Sequence, residues 1–122
     1  MSVLDRVKAM FAKPYRTVDA AEADALITSG AILLDVRDKH EYKAGHAPRA
    51  RHIPLDQLAA RHRELPAGRT VVTVCRSGMR SAQAARFLAG QGLAVAKLSG
   101  GMQAWSRSGL PVTAKTGTGR IF

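Results

Sequence analysis

The sequence holds a single cysteine, Cys75, among 122 residues. That excludes an intramolecular disulfide, so the thiol either acts alone or lies buried. Aromatic residues are scarce, at 5%. None is interleaved with the cations in the way a stacking platform for single-stranded nucleic acid requires. No apolar run approaches the roughly 20 residues a membrane-spanning helix needs. The stretch from Met1 to Phe11 lacks the continuous apolar segment of a secretory signal. The cytoplasm is therefore the expected location, and its reducing conditions suit a free thiol. Acidic residues are also few, 9 against 19 lysines and arginines, giving a formal net charge of +10. A small anionic substrate or an acidic protein would be drawn to such a surface, and so would nucleic acid. Because the cations are spread along the chain, a nucleic-acid partner is not expected. His40, His46, His52 and His62 are spaced by six, six and ten residues and share no helical face, so no metal site is expected. No cofactor is implied, and there is no internal repeat.

At 46%, apolar residues suffice for one core, and the length fits one domain. We divide the chain into an amphipathic helical arm (1–14), a domain (15–112) and an irregular, flexible tail (113–122). In the arm, Val3, Leu4, Val7, Met10 and Phe11 recur at helical spacing, with Arg6, Lys8 and Lys13 elsewhere and Pro14 as terminator. Such an arm can lie on an anionic membrane surface, but short arms more commonly pack on their own domain or on a neighbouring subunit. Asp19 and Glu22 have capping-box spacing ahead of a helix over Ala20 to Ile27, closed by Gly30. Ala31 to Val36 is a continuous apolar run broken only by Asp35, the pattern of a buried parallel strand. Short strands over Arg51 to Ile53 and Leu93 to Ala96 are expected. So are helices over Leu55 to His62, Ser81 to Gly90 and Met102 to Arg107, with turns at Pro66 to Gly68 and Gly100-Gly101. Thr70 to Val74, β-branched throughout, is the clearest strand. This alternation predicts a three-layer α/β/α domain on a mostly parallel five-stranded sheet.

Cys75-Arg76-Ser77-Gly78-Met79-Arg80 lies between that strand and the helix expected from Ser81. Ligands of open α/β sheets gather at the carboxyl ends of the strands. A helix amino terminus adds unpaired amides and partial positive charge. A cysteine there should be partly thiolate and within reach of a substrate, since amides, dipole and two nearby cations all favour the anion. Arg76 and Arg80 can fork onto the oxygens of an anionic substrate. Gly78 lets the backbone turn so that successive amides point inward. A buried structural thiol is the plain alternative. The polar, charged setting just past a strand end argues against it. For Arg76 the plain alternative is a solvated surface arginine.

These segments, in order, resemble the rhodanese family. The resemblance runs through Leu33-Leu34-Asp35-Val36-Arg37, Glu41-Tyr42, Gly45-His46, Ile53-Pro54-Leu55, Val74 to Ser81, and Leu98 to Trp105, across about residues 17–111. It implies a sulfurtransferase with Cys75 as the catalytic nucleophile and a cysteine persulfide as intermediate. Thiosulfate or another anionic sulfane donor would supply the sulfur, and a thiophilic small molecule, a thiol or a protein would accept it. The loop Arg76, Ser77, Gly78, Met79, Arg80 and Ser81 would bind the substrate, its amides caging the terminal sulfur and the two arginines holding the donor's sulfonate. Asp35, Arg37, Glu41 and His46 match family positions that are mostly structural, and an Arg37–Glu41 ion pair is expected. The segment from His46 to Ile53 carries more cations than many relatives do.

Three rival readings share the same residues. A phosphatase or arsenate-reductase-like enzyme would use a related cradle, but cysteine phosphatases place five residues between cysteine and arginine, and here there are four. A module that only docks partners usually lacks the loop cysteine. A sulfur carrier fed by another protein differs from a thiosulfate-cleaving enzyme only in its substrate.

Overall fold

Val71, Val72, Thr73 and Val74 are completely buried and form the middle strand of the domain. The computed structural model describes residues 2–4 and 13–122. Most of the arm expected over 1–14 lies outside the described residues. The strands β1 (Arg16–Val18), β2 (Ile32–Asp35), β3 (Arg51–His52), β4 (Val71–Val74) and β5 (Val95–Leu98) make one sheet in the order β1-β5-β4-β2-β3. Every pairing in it is parallel. Parallel neighbours need crossovers, and these are supplied by the helices α1 (Ala20–Thr28), α2 (Lys39–Ala44), α3 (Leu58–Arg61) and α4 (Met79–Gly90), while α5 (Gly101–Arg107) follows the last strand of the sheet.

The alternation of side chains along the strands separates two apolar layers. Ile32, Leu34, Val71 and Val95 meet Leu58 of α3 and Ala84, Ala85 and Leu88 of α4 on one face. Leu33, Val72, Val74, Ala96 and Leu98 meet Ala23 and Ile27 of α1 and Met102 and Trp105 of α5 on the other. This is the three-layer α/β/α arrangement expected, with a main sheet that is wholly rather than mostly parallel.

Several elements depart from expectation for local reasons. β1 carries only three residues, two of them exposed, and exists because Arg16, Thr17 and Val18 pair with Ala96, Lys97 and Leu98. The strand expected at Leu93 begins two residues later, because the Leu93 N–H is still donating to Leu88 O at the end of α4. The helix expected over 55–62 is divided into a 3-10 turn (Leu55–Gln57), α3, and a second 3-10 turn (His62–Glu64). α2 has no apolar periodicity and is set by a capping box. The Glu41 N–H donates to Asp38 Oδ1 at 2.8 Å, and the Asp38 N–H donates to Glu41 Oε1 at 3.3 Å. The tail is not irregular. Its β6 (Thr113–Ala114) pairs antiparallel with β7 (Gly117–Thr118). Beyond the hairpin, the Arg120 N–H donates to Ala44 O at 2.8 Å. Gly45 permits that approach, since a Cβ there would lie 2.5 Å from the Arg120 backbone.

Candidate active site

β4 delivers Cys75 to the carboxyl edge of the sheet, and α4 starts only four residues later. Between them the chain makes a tight loop through Gly78, whose φ of 144° favours glycine. The Gly78 N–H donates to Cys75 Sγ at 3.0 Å. The thiol donates to Ser81 Oγ at 3.4 Å, and that hydroxyl in turn donates to Gly78 O at 3.1 Å. Ser81 is fully buried, and Thr73 Oγ1 ties its carbonyl back to β4 at 3.0 Å.

Burial is the largest influence on the Cys75 thiol and pushes its pKa up. The Ser81 hydroxyl and the backbone groups of Ser81, Ser77 and Gly78 together outweigh it, so the thiol titrates below its ordinary value. Cys75 is only 1% exposed. The expectation of an openly reachable thiol is therefore corrected: the loop curls fully over Sγ. It does so with the Gly78 N–H directed at the sulfur, a donor that favours the thiolate.

The Gly100-Gly101 turn, which locally is only a turn, completes the loop. Gly101, with φ +59°, packs so closely that a Cβ would lie 2.4 Å from Cys75 O and 2.5 Å from Arg76 O. From the start of α5, the Met102 N–H donates to Cys75 O at 2.8 Å and the Gln103 N–H donates to Arg76 O at 3.2 Å. Both carbonyls are thus held away from the sulfur, and the loop can present its N–H groups to the interior. The sequence signal was the Gly100-Gly101 pair. Its meaning needed the tertiary neighbour.

The remaining loop residues divide by environment. Arg80, in the first turn of α4, makes a two-pronged contact with Glu41: Nη1 donates to Oε1 at 2.5 Å and Nη2 to Oε2 at 2.9 Å. The Arg80 guanidinium is the main reason that the Glu41 carboxyl is held down to about 2. The exposed Arg76 donates from Nε to Phe122 O at 2.6 Å. Ser77 is exposed, and Met79 is 80% exposed, so its side chain stands outside the cradle. Met79 and Arg80 belong to the helix rather than to the loop that precedes it.

The expected Arg37–Glu41 ion pair does not form. Arg37 turns back on Asp35, with Nε donating to Oδ1 at 3.0 Å and Nη2 to Oδ2 at 2.6 Å. It also donates to the carbonyls of Gly45 at 2.7 Å and Glu41 at 3.4 Å. The Glu41 side chain instead closes the capping box of α2 and faces Arg80. The rings of His46 and His52 lie 3.9 and 4.3 Å from that of Tyr42 and nearly parallel to it, which makes both histidines part of the frame.

The chain belongs to the rhodanese-like domain family, whose model matches residues 19–108. It is 42% identical over 91 residues to a protein of Allochromatium vinosum named sulfurtransferase, covering 74% of this chain and 85% of that one. Among solved structures it is similar to a rhodanese-related protein from Thermoplasma volcanium, with a TM-score of 0.76 at 32% identity, covering 81% of this chain and 98% of the other. It is also similar to Bacillus anthracis CoADR-RHD in its reduced form, with a TM-score of 0.72 at 34% identity. That match covers 76% of this chain and only 17% of the far longer neighbour.

Proposed function

We propose that this protein is a sulfurtransferase that moves a sulfane sulfur from an anionic donor such as thiosulfate to a thiophilic acceptor through a persulfide on Cys75. The observation that carries the reading is the inward-facing loop: Gly78 N–H on Sγ at 3.0 Å, with the competing carbonyls of Cys75 and Arg76 tied to α5. Such a ring of fixed amides stabilises charge on a sulfur without having to reorganise.

In the first half-reaction the Cys75 thiolate attacks the outer sulfur of thiosulfate. The new S–S bond forms as the old one breaks, and sulfite leaves with the electron pair. In the second, an acceptor thiolate or cyanide attacks the terminal sulfur and Cys75 departs as the thiolate. This is covalent, two-stage catalysis. Gly78 and the backbone of Ser77 and Ser81 hold the charged sulfur, and Ser81 orients it. Arg76 and Arg80 form the positive rim that receives the sulfonate, Arg80 being steadied by Glu41. The exposed Met79 beside that rim favours a protein among the acceptors, which would make the chain a sulfur carrier as well. A reducing, cytoplasmic setting suits the unpaired thiol.

A phosphatase reading is disfavoured by the four-residue spacing from Cys75 to Arg80 and by the closure of the loop on one sulfur atom. Incubation with thiosulfate and cyanide tests the proposal. Thiocyanate should accumulate with the wild-type protein and not with Cys75→Ser, and an aryl phosphate should not be turned over. Aryl phosphate hydrolysis without thiocyanate formation would reverse the assignment.

A further inference from the structure

Both arginines that the sequence offers to an anionic donor are already engaged, Arg80 by Glu41 and Arg76 by the Phe122 carbonyl. A third cation stands at the loop. Lys97 lies on β5, in register with Thr73 of β4, and is partly buried. A Cβ built on Gly78 would be 3.1 Å from Lys97 Nζ and 3.4 Å from Cε. The ammonium therefore packs against the same glycine whose N–H holds Sγ at 3.0 Å. Covalent geometry then keeps Nζ within about 9 Å of the sulfur.

Among the described residues, the ion pairs are Arg37–Asp35, Arg61–Glu64 and Arg80–Glu41, and none includes Lys97. Lys97 also sits beside the positive end of the twelve-residue α4, whose N-cap is a glycine with no side chain to offer. A cation at that end is unfavourable by itself. It becomes favourable once an anion occupies the loop. We propose that Lys97 is a specificity-determining residue, whose uncommitted charge makes this site prefer sulfur donors of higher negative charge. The inference rests on the sulfurtransferase reading above and adds to it a residue that acts through space, without touching the reacting atoms.

The test compares two donors that differ in charge. Thiosulfate is a dianion that releases sulfite, and an arylthiosulfonate is a monoanion that releases a sulfinate. In each, Cys75 attacks the terminal sulfur and the leaving group takes the electron pair of the broken S–S bond. Thiocyanate formation with excess cyanide gives kcat/KM for both. Lys97→Gln is expected to lower kcat/KM about tenfold for thiosulfate and about threefold for the thiosulfonate at low salt, with the gap narrowing as salt is added. Lys97→Arg should restore the wild-type ratio. Lys97→Met, which keeps the aliphatic stem, should repeat the Gln result and serves if the Gln variant folds poorly. An equal loss for both donors would show a merely structural lysine and overturn the inference, as would no loss at all. Wild-type protein inactive with both donors would instead overturn the sulfurtransferase reading, and this inference with it.

Discussion

Two arginine–carboxylate pairs lie close together at the carboxyl edge of the sheet, and they do different work. Arg37 and Asp35 are 2% and 0% exposed, and their remaining hydrogen-bonding capacity goes to backbone groups, the Arg37 N–H after β2 and the Gly45 carbonyl just past α2. Arg80 and Glu41 are 35% and 13% exposed and stand at the rim of the cysteine loop. The first pair has exchanged its hydration for protein partners and cannot give up one member without stranding a buried charge. The second keeps contact with water, so its guanidinium stays within reach of a substrate at the rim while Glu41 steadies it. Two guanidinium groups of one chemistry thus become a frame and a rim through burial alone.

The sharpest way to break this comparison is to remove one buried member. Arg37→Ala should destabilise the fold by about 3–5 kcal/mol, read from urea unfolding, because Asp35 is left charged and unpaired in the interior. A loss below ~1 kcal/mol would mean that water reaches the pair. Next in size is Gly101→Ala. Its methyl group meets the Cys75 and Arg76 carbonyls and forces them off the α5 amides, so we expect a cost of about 1–3 kcal/mol from strain. Thiocyanate formation should fall more than stability does. Unchanged turnover would show that the carbonyl anchoring is dispensable.

Arg80→Ala should cost no more than about 1 kcal/mol of stability, as is usual for a solvent-facing pair. Its main effect should be a raised donor KM, measured by steady-state kinetics. Arg80→Lys should rescue little of it, because one ammonium cannot reproduce the two-pronged contact. A donor KM that stays at the wild-type value removes Arg80 from the rim. The smallest effect is with pH. The Glu41 carboxyl is depressed from 4.5 to about 2, so its contribution is fully present above pH 4.5 and is lost as pH falls toward 2. Wild-type stability should therefore decline more than that of Glu41→Gln over that interval in thermal melts, and parallel curves would contradict the assignment.

Much of the fold could be read in the residues themselves. The apolar runs of β2 and β4 and the Asp19–Glu22 capping box are local signals, and the structure keeps them. β1 and α2 were not legible. One is three residues held by pairing with a strand some 80 residues away in sequence. The other is a short polar helix set by Asp38 and Glu41 rather than by an apolar stripe. The cysteine loop was visible because a β-branched strand, a glycine and a helix meet there. Its partners were not: spacing pairs Glu41 with Arg37, whereas its actual partner, Arg80, is 39 residues away. Gly101 and Lys97 likewise acquire their roles only when α5 and β5 are brought against the loop.

Intact mass spectrometry after brief exposure to thiosulfate is the most direct test of a charged sulfur carried within the loop. The wild-type chain should gain the mass of one sulfur atom and lose it again on adding cyanide, while Cys75→Ser gains nothing. An unchanged wild-type mass, or an equal gain in the serine variant, would contradict the account.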